Sequence, residues 1–71
     1  MQLDRIMMVL EYVAAANRPV SATELHRLTE IPKPTCYRAL QKLVENGFIE
    51  DVEAAGRYSI GRRLRAAVVH G

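Results

Sequence analysis

The most informative part of this 71-residue chain reads VSATELHRLTEIPKPTCYRALQKLVENG at residues 20–47. Near its start, residues 21–24 form a capping box, in which the Ser21 hydroxyl accepts a hydrogen bond from the Glu24 amide and the Glu24 carboxylate accepts one from the Ser21 amide. Such a box satisfies amides that the first turn of a helix leaves unpaired. The pattern therefore predicts a short helix over residues 22–29. Its inward side chains are predicted to be Ala22, Leu25 and Leu28, with Val20 stapled against Leu25.

A longer helix is predicted to follow at once. Prolines are tolerated in the first turn of a helix, so Pro32 and Pro34 mark its beginning at Lys33. Asn46 and Gly47 close it, because glycine readily takes the positive φ of a Schellman ending, which places Phe48 over Leu43. The predicted inward face consists of Cys36, Leu40, Leu43 and Val44. The predicted outward or flanking residues are Lys33, Thr35, Tyr37, Arg38, Gln41, Lys42 and Glu45.

Helix periodicity before this stretch and strand-like residues after it complete the order of elements. A first helix is predicted over residues 4–16, ended by Asn17 and Pro19. Its predicted inward side chains are Leu3, Ile6, Leu10, Val13 and Ala14. Residues 48–52 and 57–60 predict a hairpin around residues 53–56. Because an isolated hairpin is marginal in water, Val52, Tyr58 and Ile60 are expected to lean on the helices.

Length and composition limit the class of protein. Seventy-one residues support one core, and such a small core is expected to gain stability from oligomerisation. Cys36 is the only cysteine, and the chain has two histidines, His26 and His70. These three residues lack the paired spacing of a zinc site, so each is interpreted as structural. No metal or other cofactor is expected. The sequence shows no apolar run long enough to cross a bilayer and no basic-then-apolar leader for secretion. These observations favour a cytoplasmic protein that does not enter a membrane.

The charge is unevenly distributed. The formal net charge is only +2, yet residues 33–71 hold seven basic and four acidic residues, whereas residues 1–32 hold three basic and four acidic residues. After Glu53 there are arginines but no acids. A local basic field of this kind suits a polyanionic partner, although a solvated surface without a partner explains it equally well on charge alone.

The order helix, short helix, turn, longer helix, hairpin predicts a mainly α winged helix-turn-helix with a two-stranded wing. Its longer helix, residues 33–46, fits a DNA major groove, and the wing at residues 49–60 fits the backbone or a minor groove. Arg38 is the candidate reader of a guanine, because its planar fork bonds two acceptors on one base edge. The candidate DNA-binding residues are Ser21, Thr23, Lys33, Pro34, Thr35, Tyr37, Arg38, Gln41, Lys42, Arg57 and Tyr58.

Two other classes of function were weighed. A winged helix can serve as a protein-interaction module that never touches DNA, with Tyr37, Ile49 and the wing meeting the partner. Enzyme activity is not expected and no catalytic residue is assigned. The chain shows no glycine-rich phosphate loop, no paired carboxylates suited to a pocket and no nucleophile with a base partner.

The chain resembles the IclR family of bacterial transcription regulators from Ile6 to Leu64. The resemblance depends on TEL at residues 23–25, IPKPTCYRAL at residues 31–40, LVENGFI at residues 43–49 and RYSIGRRL at residues 57–64. It implies recognition-helix roles for Lys33, Thr35, Tyr37 and Arg38, and a wing role for Arg57. Two departures stand out: Glu30 replaces a usual glycine in the turn, which predicts a tighter or differently shaped turn, and Pro34 replaces a usual serine.

The resemblance also carries expectations about the whole regulator. It implies a separate C-terminal domain that binds a small-molecule effector and assists oligomerisation, so the whole regulator is expected to be a homodimer or larger oligomer. Two copies are expected to bind inverted-repeat operator DNA. Occupancy of the operator would either block polymerase, as a repressor does, or recruit it. Residues 1–61 are accordingly interpreted as the DNA-binding domain, and residues 62–71 as the start of a linker helix towards that effector domain, with Leu64, Ala67 and Val68 on its apolar face. The chain is expected to be an excised N-terminal domain or a free-standing relative.

Overall fold

A computed structural model describes residues 3–61 of the chain. The elements are α1 (Leu3–Ala15), β1 (Val20–Ser21), α2 (Ala22–Thr29), α3 (Lys33–Glu45), β2 (Ile49–Val52) and β3 (Arg57–Ile60). This order confirms the predicted winged helix-turn-helix, mainly α with a small sheet. The predicted helix over residues 62–71, with Arg62, Arg63 and Arg65, lies outside the described residues, as does His70.

Helix α1 packs through a face slightly different from the predicted one. Val9 and Val13 are buried, and Ile6 and Leu10 pack partly against them. The prediction that Leu3 faces inward is wrong. Leu3 is the first described residue, and it is 70% exposed. The predicted ending is confirmed, since Asn17 takes a φ of 58°.

Helix α2 begins and ends at the predicted residues. The Ser21 hydroxyl accepts from the Glu24 amide at 3.1 Å, which confirms the cap, and both Val20 and Leu25 of the predicted staple are buried. Leu28 was predicted to face inward, but it is 56% exposed. A helix of eight residues covers its neighbours with a narrow strip centred on Leu25, and Leu28 lies beside that strip.

Helix α3 is fixed at both ends. It begins after Pro32, with Pro34 in its first turn, and its buried face holds Cys36, Ala39, Leu40 and Leu43. The predicted Schellman ending is confirmed by two hydrogen bonds of 3.0 Å, from the Phe48 amide to the Leu43 carbonyl and from the Gly47 amide to the Val44 carbonyl. Gly47 has the expected positive φ, 77°. The helix axis is therefore held by packing beneath it and by its closing turn.

The wing belongs to a three-stranded antiparallel sheet of order β1-β3-β2. The hairpin of β2 and β3 was predicted, whereas β1 was not. Tyr58 lies in the central strand, opposite Val20 of β1 and Asp51 of β2. Its ring is 2% exposed and belongs to the same buried cluster as the helix residues, which confirms that the hairpin leans on the helices.

Candidate nucleic-acid interface

The outward face of α3 presents a set of polar and cationic side chains. Lys33, Arg38 and Lys42 are exposed, and Tyr37 is 52% exposed. Thr35 and Gln41 are partly buried at the flanks of the same face, and Pro34 is exposed in the first turn. The predicted outward face of the helix is therefore confirmed, from its first turn to Glu45.

Five of these side chains, all except Lys33 and Pro34, line a broad groove of about 590 Å³, called the α3 groove below. Its walls are formed by Arg5, Thr35, Tyr37, Arg38, Gln41, Lys42 and Glu45. Arg5 comes from α1 and was not among the sequence-based candidates. It reaches the groove because α1 packs across α3, and no local pattern around Arg5 signals that packing.

The α3 groove is cationic despite the low net charge of the chain. Arg5, Arg38 and Lys42 contribute three positive charges against the single carboxylate of Glu45. Within residues 3–61, the one salt bridge joins Arg18 to Glu24, far from these residues in sequence, so none of the three cations is neutralised by a described carboxylate at contact distance. Such unpaired, exposed cations suit contacts with phosphate groups.

The start of α2 is stabilised by its own residues. Arg18 forms two hydrogen bonds with the Glu24 carboxylate, one of them at 3.2 Å between Nη1 and Oε1. This bonding, with smaller help from the Ser21 amide, holds the pKa of Glu24 below its ordinary value although desolvation opposes it. The Ser21 hydroxyl is engaged as the helix cap, whereas Thr23 is exposed beside it.

The wing places its two candidates differently. Arg57 is exposed at the beginning of β3, where its positive charge is accessible from solvent. Tyr58, in contrast, was predicted to contact DNA, and the structure buries it in the core. This prediction is corrected, because the alternation of side chains along β3 turns Tyr58 inward and leaves only its hydroxyl near the groove. That hydroxyl accepts a hydrogen bond from Gln41 Nε2 at 3.4 Å.

The cysteine and the described histidine have structural partners. Cys36 is fully buried, its thiol lies 3.5 Å from the Ile31 carbonyl, and burial raises the pKa of the thiol. His26 Nδ1 lies 2.6 Å from the same carbonyl. Both contacts tie helices to the turn between α2 and α3, as the structural interpretation of these residues predicted.

Residues 3–61 bring together no group of three or more His, Cys, Asp or Glu side chains that could hold a metal ion. None of their helices combines the length and the apolar character needed to cross a membrane.

Comparisons with known proteins agree on one family. The model of the IclR helix-turn-helix domain matches residues 2–53. The chain is 34% identical over 59 residues to the transcriptional repressor IclR of Escherichia coli K12, and 32% identical over 59 residues to the acetate operon repressor of Salmonella typhimurium LT2. Each match covers 83% of this chain and 22% of the relative, so the chain spans about a fifth of the length of these curated relatives.

A solved structure extends the agreement to three dimensions. A crystal structure of a regulator from Silicibacter sp. TM1040, described as an ICLR transcriptional regulator, superposes with a TM-score of 0.78 at 32% identity. The match covers 96% of this chain and 27% of that one. The fold, the matched domain and the identity to two curated repressors therefore show that this chain belongs to the IclR helix-turn-helix family.

Proposed function

We propose that the chain binds double-stranded DNA in a sequence-specific manner, as the DNA-reading domain of a transcription regulator. The observation that carries this proposal is the α3 groove, in which the outward face of α3 offers cations, hydroxyls and an amide that none of the described carboxylates pairs. Helix α3, with 13 residues, is about 20 Å long and fits the major groove, which is about 12 Å wide.

The packing and the closing turn of α3 support a role in reading bases. Base contacts require side chains held in register with the duplex, and α3 is anchored by Cys36, Leu40 and Leu43 and closed by the Schellman turn. With residues 33–46 in the major groove, Arg38 reads a guanine through its two-pronged guanidinium. Tyr37 and Thr35 contact phosphates or a thymine methyl group, and Lys33 and Lys42 neutralise phosphates.

The remaining contacts position the domain on the backbone. The exposed Thr23 and the amides at the start of α2 face a phosphate, which is favoured at a helix N-terminus. Ser21 supports them as the cap. The wing at residues 49–60 places Arg57 on the backbone or in the adjacent minor groove.

The whole regulator is proposed to act as a cytoplasmic dimer or larger oligomer. Two copies bind an inverted repeat whose half-sites are separated by whole helical turns of DNA, so that each copy places one recognition helix in one half-site. The curated relatives are named as repressors, and repression is proposed here too. A small-molecule effector would act through a further domain, consistent with this chain spanning only about a fifth of those relatives.

The experiment is a titration of fluorescent duplex DNA with the 71-residue chain at low and at moderate salt, followed by selection of bound sequences from a random duplex pool. We expect binding that weakens steeply with salt and a pool that converges on one motif. Absence of binding at low salt would favour the protein-interaction module instead. If the chain binds but the selected pool does not converge on a motif, attraction to phosphates is sufficient to explain the binding. That result would contradict sequence-specific recognition.

A further inference from the structure

We propose that Tyr58 is a positioning residue for sequence reading: its buried hydroxyl orients the Gln41 amide so that Gln41 reads an adenine beside the base pair contacted by Arg38. This inference rests on the proposed function and deepens it. The relevant geometry joins the central strand of the sheet to the outward face of α3 through one hydrogen bond, from Gln41 Nε2 to the Tyr58 hydroxyl oxygen, at 3.4 Å.

Tyr58 provides a fixed point for this bond. Its ring is 2% exposed, and its backbone pairs with Val20 on one side and with Asp51 on the other. A buried ring on a strand that is paired on both sides has little freedom to rotate. The fold therefore sets the position of the Tyr58 hydroxyl. Gln41, by contrast, lies at the edge of the α3 groove, where a side chain with several rotatable bonds would sample many orientations.

The chemistry of the amide favours adenine. A glutamine carboxamide has two N–H donors and one carbonyl acceptor. The bond to Tyr58 uses one N–H, which leaves the other N–H and Oε1. That remaining pair matches the major-groove edge of adenine, where N7 accepts and the N6 amino group donates.

The phenol of Tyr58 is in its neutral form near neutral pH, because a tyrosine loses its proton only in alkaline solution. Burial raises the pKa of Tyr58 above its ordinary value, and the charges of Asp51 and Tyr37 raise it further, while the bond from Gln41 opposes the shift. In that state its oxygen accepts from Gln41.

The test uses the duplex selected from the random pool and a set of duplexes in which each base pair is substituted in turn. Tyr58→Phe removes the hydroxyl and keeps the ring, and Gln41→Ala removes the amide. We expect Tyr58→Phe to reduce the preference for adenine at one base pair by roughly three- to tenfold, the range of one hydrogen bond. Binding to unrelated duplex should stay unchanged. In the Gln41→Ala background, Tyr58→Phe should change the preference no further.

Tyr12→Phe is the matched control, because Tyr12 is a partly exposed tyrosine on α1 outside the α3 groove, and it should leave every preference unchanged. A folded Tyr58→Phe variant with full adenine preference would overturn this inference and leave the proposed function intact. A wild-type chain that prefers no sequence would overturn both.

A measurement on the unmutated chain guards against a Tyr58→Phe variant that fails to fold. The nuclear magnetic resonance order parameter of Gln41 Nε2 in the free wild-type chain should exceed about 0.6, the upper bound of flexible groups. A lower value would contradict an amide held in place by Tyr58.

Discussion

The amide of Glu30 donates a hydrogen bond of 2.8 Å to the carbonyl of His26, and Glu30 closes α2 with a φ of 62°. The chain therefore makes its sharp turn towards α3 through a left-handed residue that carries a side chain. Left-handed backbone costs an L-residue about 1–2 kcal/mol, whereas glycine adopts it freely. This is the position at which the resemblance implies a glycine.

Glu30→Gly should stabilise the fold. Relief of the left-handed conformation outweighs the larger chain entropy of glycine in the unfolded state, about 0.4–1 kcal/mol, so a net gain of roughly 0.5–1 kcal/mol is expected. Urea denaturation followed by circular dichroism measures it. Glu11→Gly is the matched control, because the same substitution at an exposed site inside α1 should destabilise by about 1 kcal/mol. Equal losses in both variants would refute the account of this turn.

Gly61→Ala should damage the wing more than Gly56→Ala. A Cβ atom on Gly61 would lie 2.7 Å from the Gly47 carbonyl oxygen and 3.0 Å from the Phe48 carbonyl carbon, both backbone atoms that cannot rotate away. Such overpacking costs about 1–3 kcal/mol. A Cβ atom on Gly56 would meet nothing within 4 Å, so the only cost of Gly56→Ala is the strain of alanine at a φ of 73°. Thermal melts of the two variants compare them, and a smaller loss for Gly61→Ala would be inconsistent with this close approach.

The Arg18–Glu24 pair should make stability depend on pH. Its hydrogen bonds lower the pKa of Glu24, so its stabilisation is present above the ordinary value of 4.5 and is lost as the pH falls through the lower value in the folded state. Glu24→Gln should therefore be less stable than wild type at pH 7, with the difference closing as the pH falls below the lowered pKa of Glu24. Arg18→Ala should show the same closing difference in urea denaturation. A difference independent of pH would contradict a charged pair.

Much of the fold is predictable because its signals are local. The Ser21 cap, the prolines at the start of α3 and the Asn46–Gly47 ending each act within one helical turn, and each was placed correctly. Strand β1 has no such signal, because two residues, Val20 and Ser21, become a strand only by pairing with the distant β3. Leu3 and Leu28 show that helical periodicity identifies a face without determining how far the neighbouring elements cover it.

The candidate site was predictable where it lies on one helix. The face of α3 follows from a 3.6-residue period, so Arg38 and Lys42 could be named in advance. Arg5 could not, since it joins the α3 groove only through the packing of α1 on α3. For Tyr58 the sequence supported two conflicting predictions, packing on the helices and contact with DNA. The structure confirms the packing, because Tyr58 is buried in the core.

Lys42→Ala should weaken binding similarly on every duplex. Lys42 is an exposed point charge on the groove, and loss of one phosphate contact lowers the slope of log affinity against log salt by roughly 1. Lys42→Arg is the matched control and should preserve the slope, because it keeps the charge. Titrations at four salt concentrations determine both slopes. An unchanged slope in Lys42→Ala would remove Lys42 from the interface.

The central claim is that the outward face of α3 reads DNA sequence, and Arg38→Ala tests it most directly. Affinities of the wild type and the variant are compared on the selected duplex and on duplexes substituted at each base pair. The account predicts a loss of about 1–3 kcal/mol on the selected duplex and a relaxed preference at one G·C base pair. An equal loss on every sequence, or no loss at all, would contradict it.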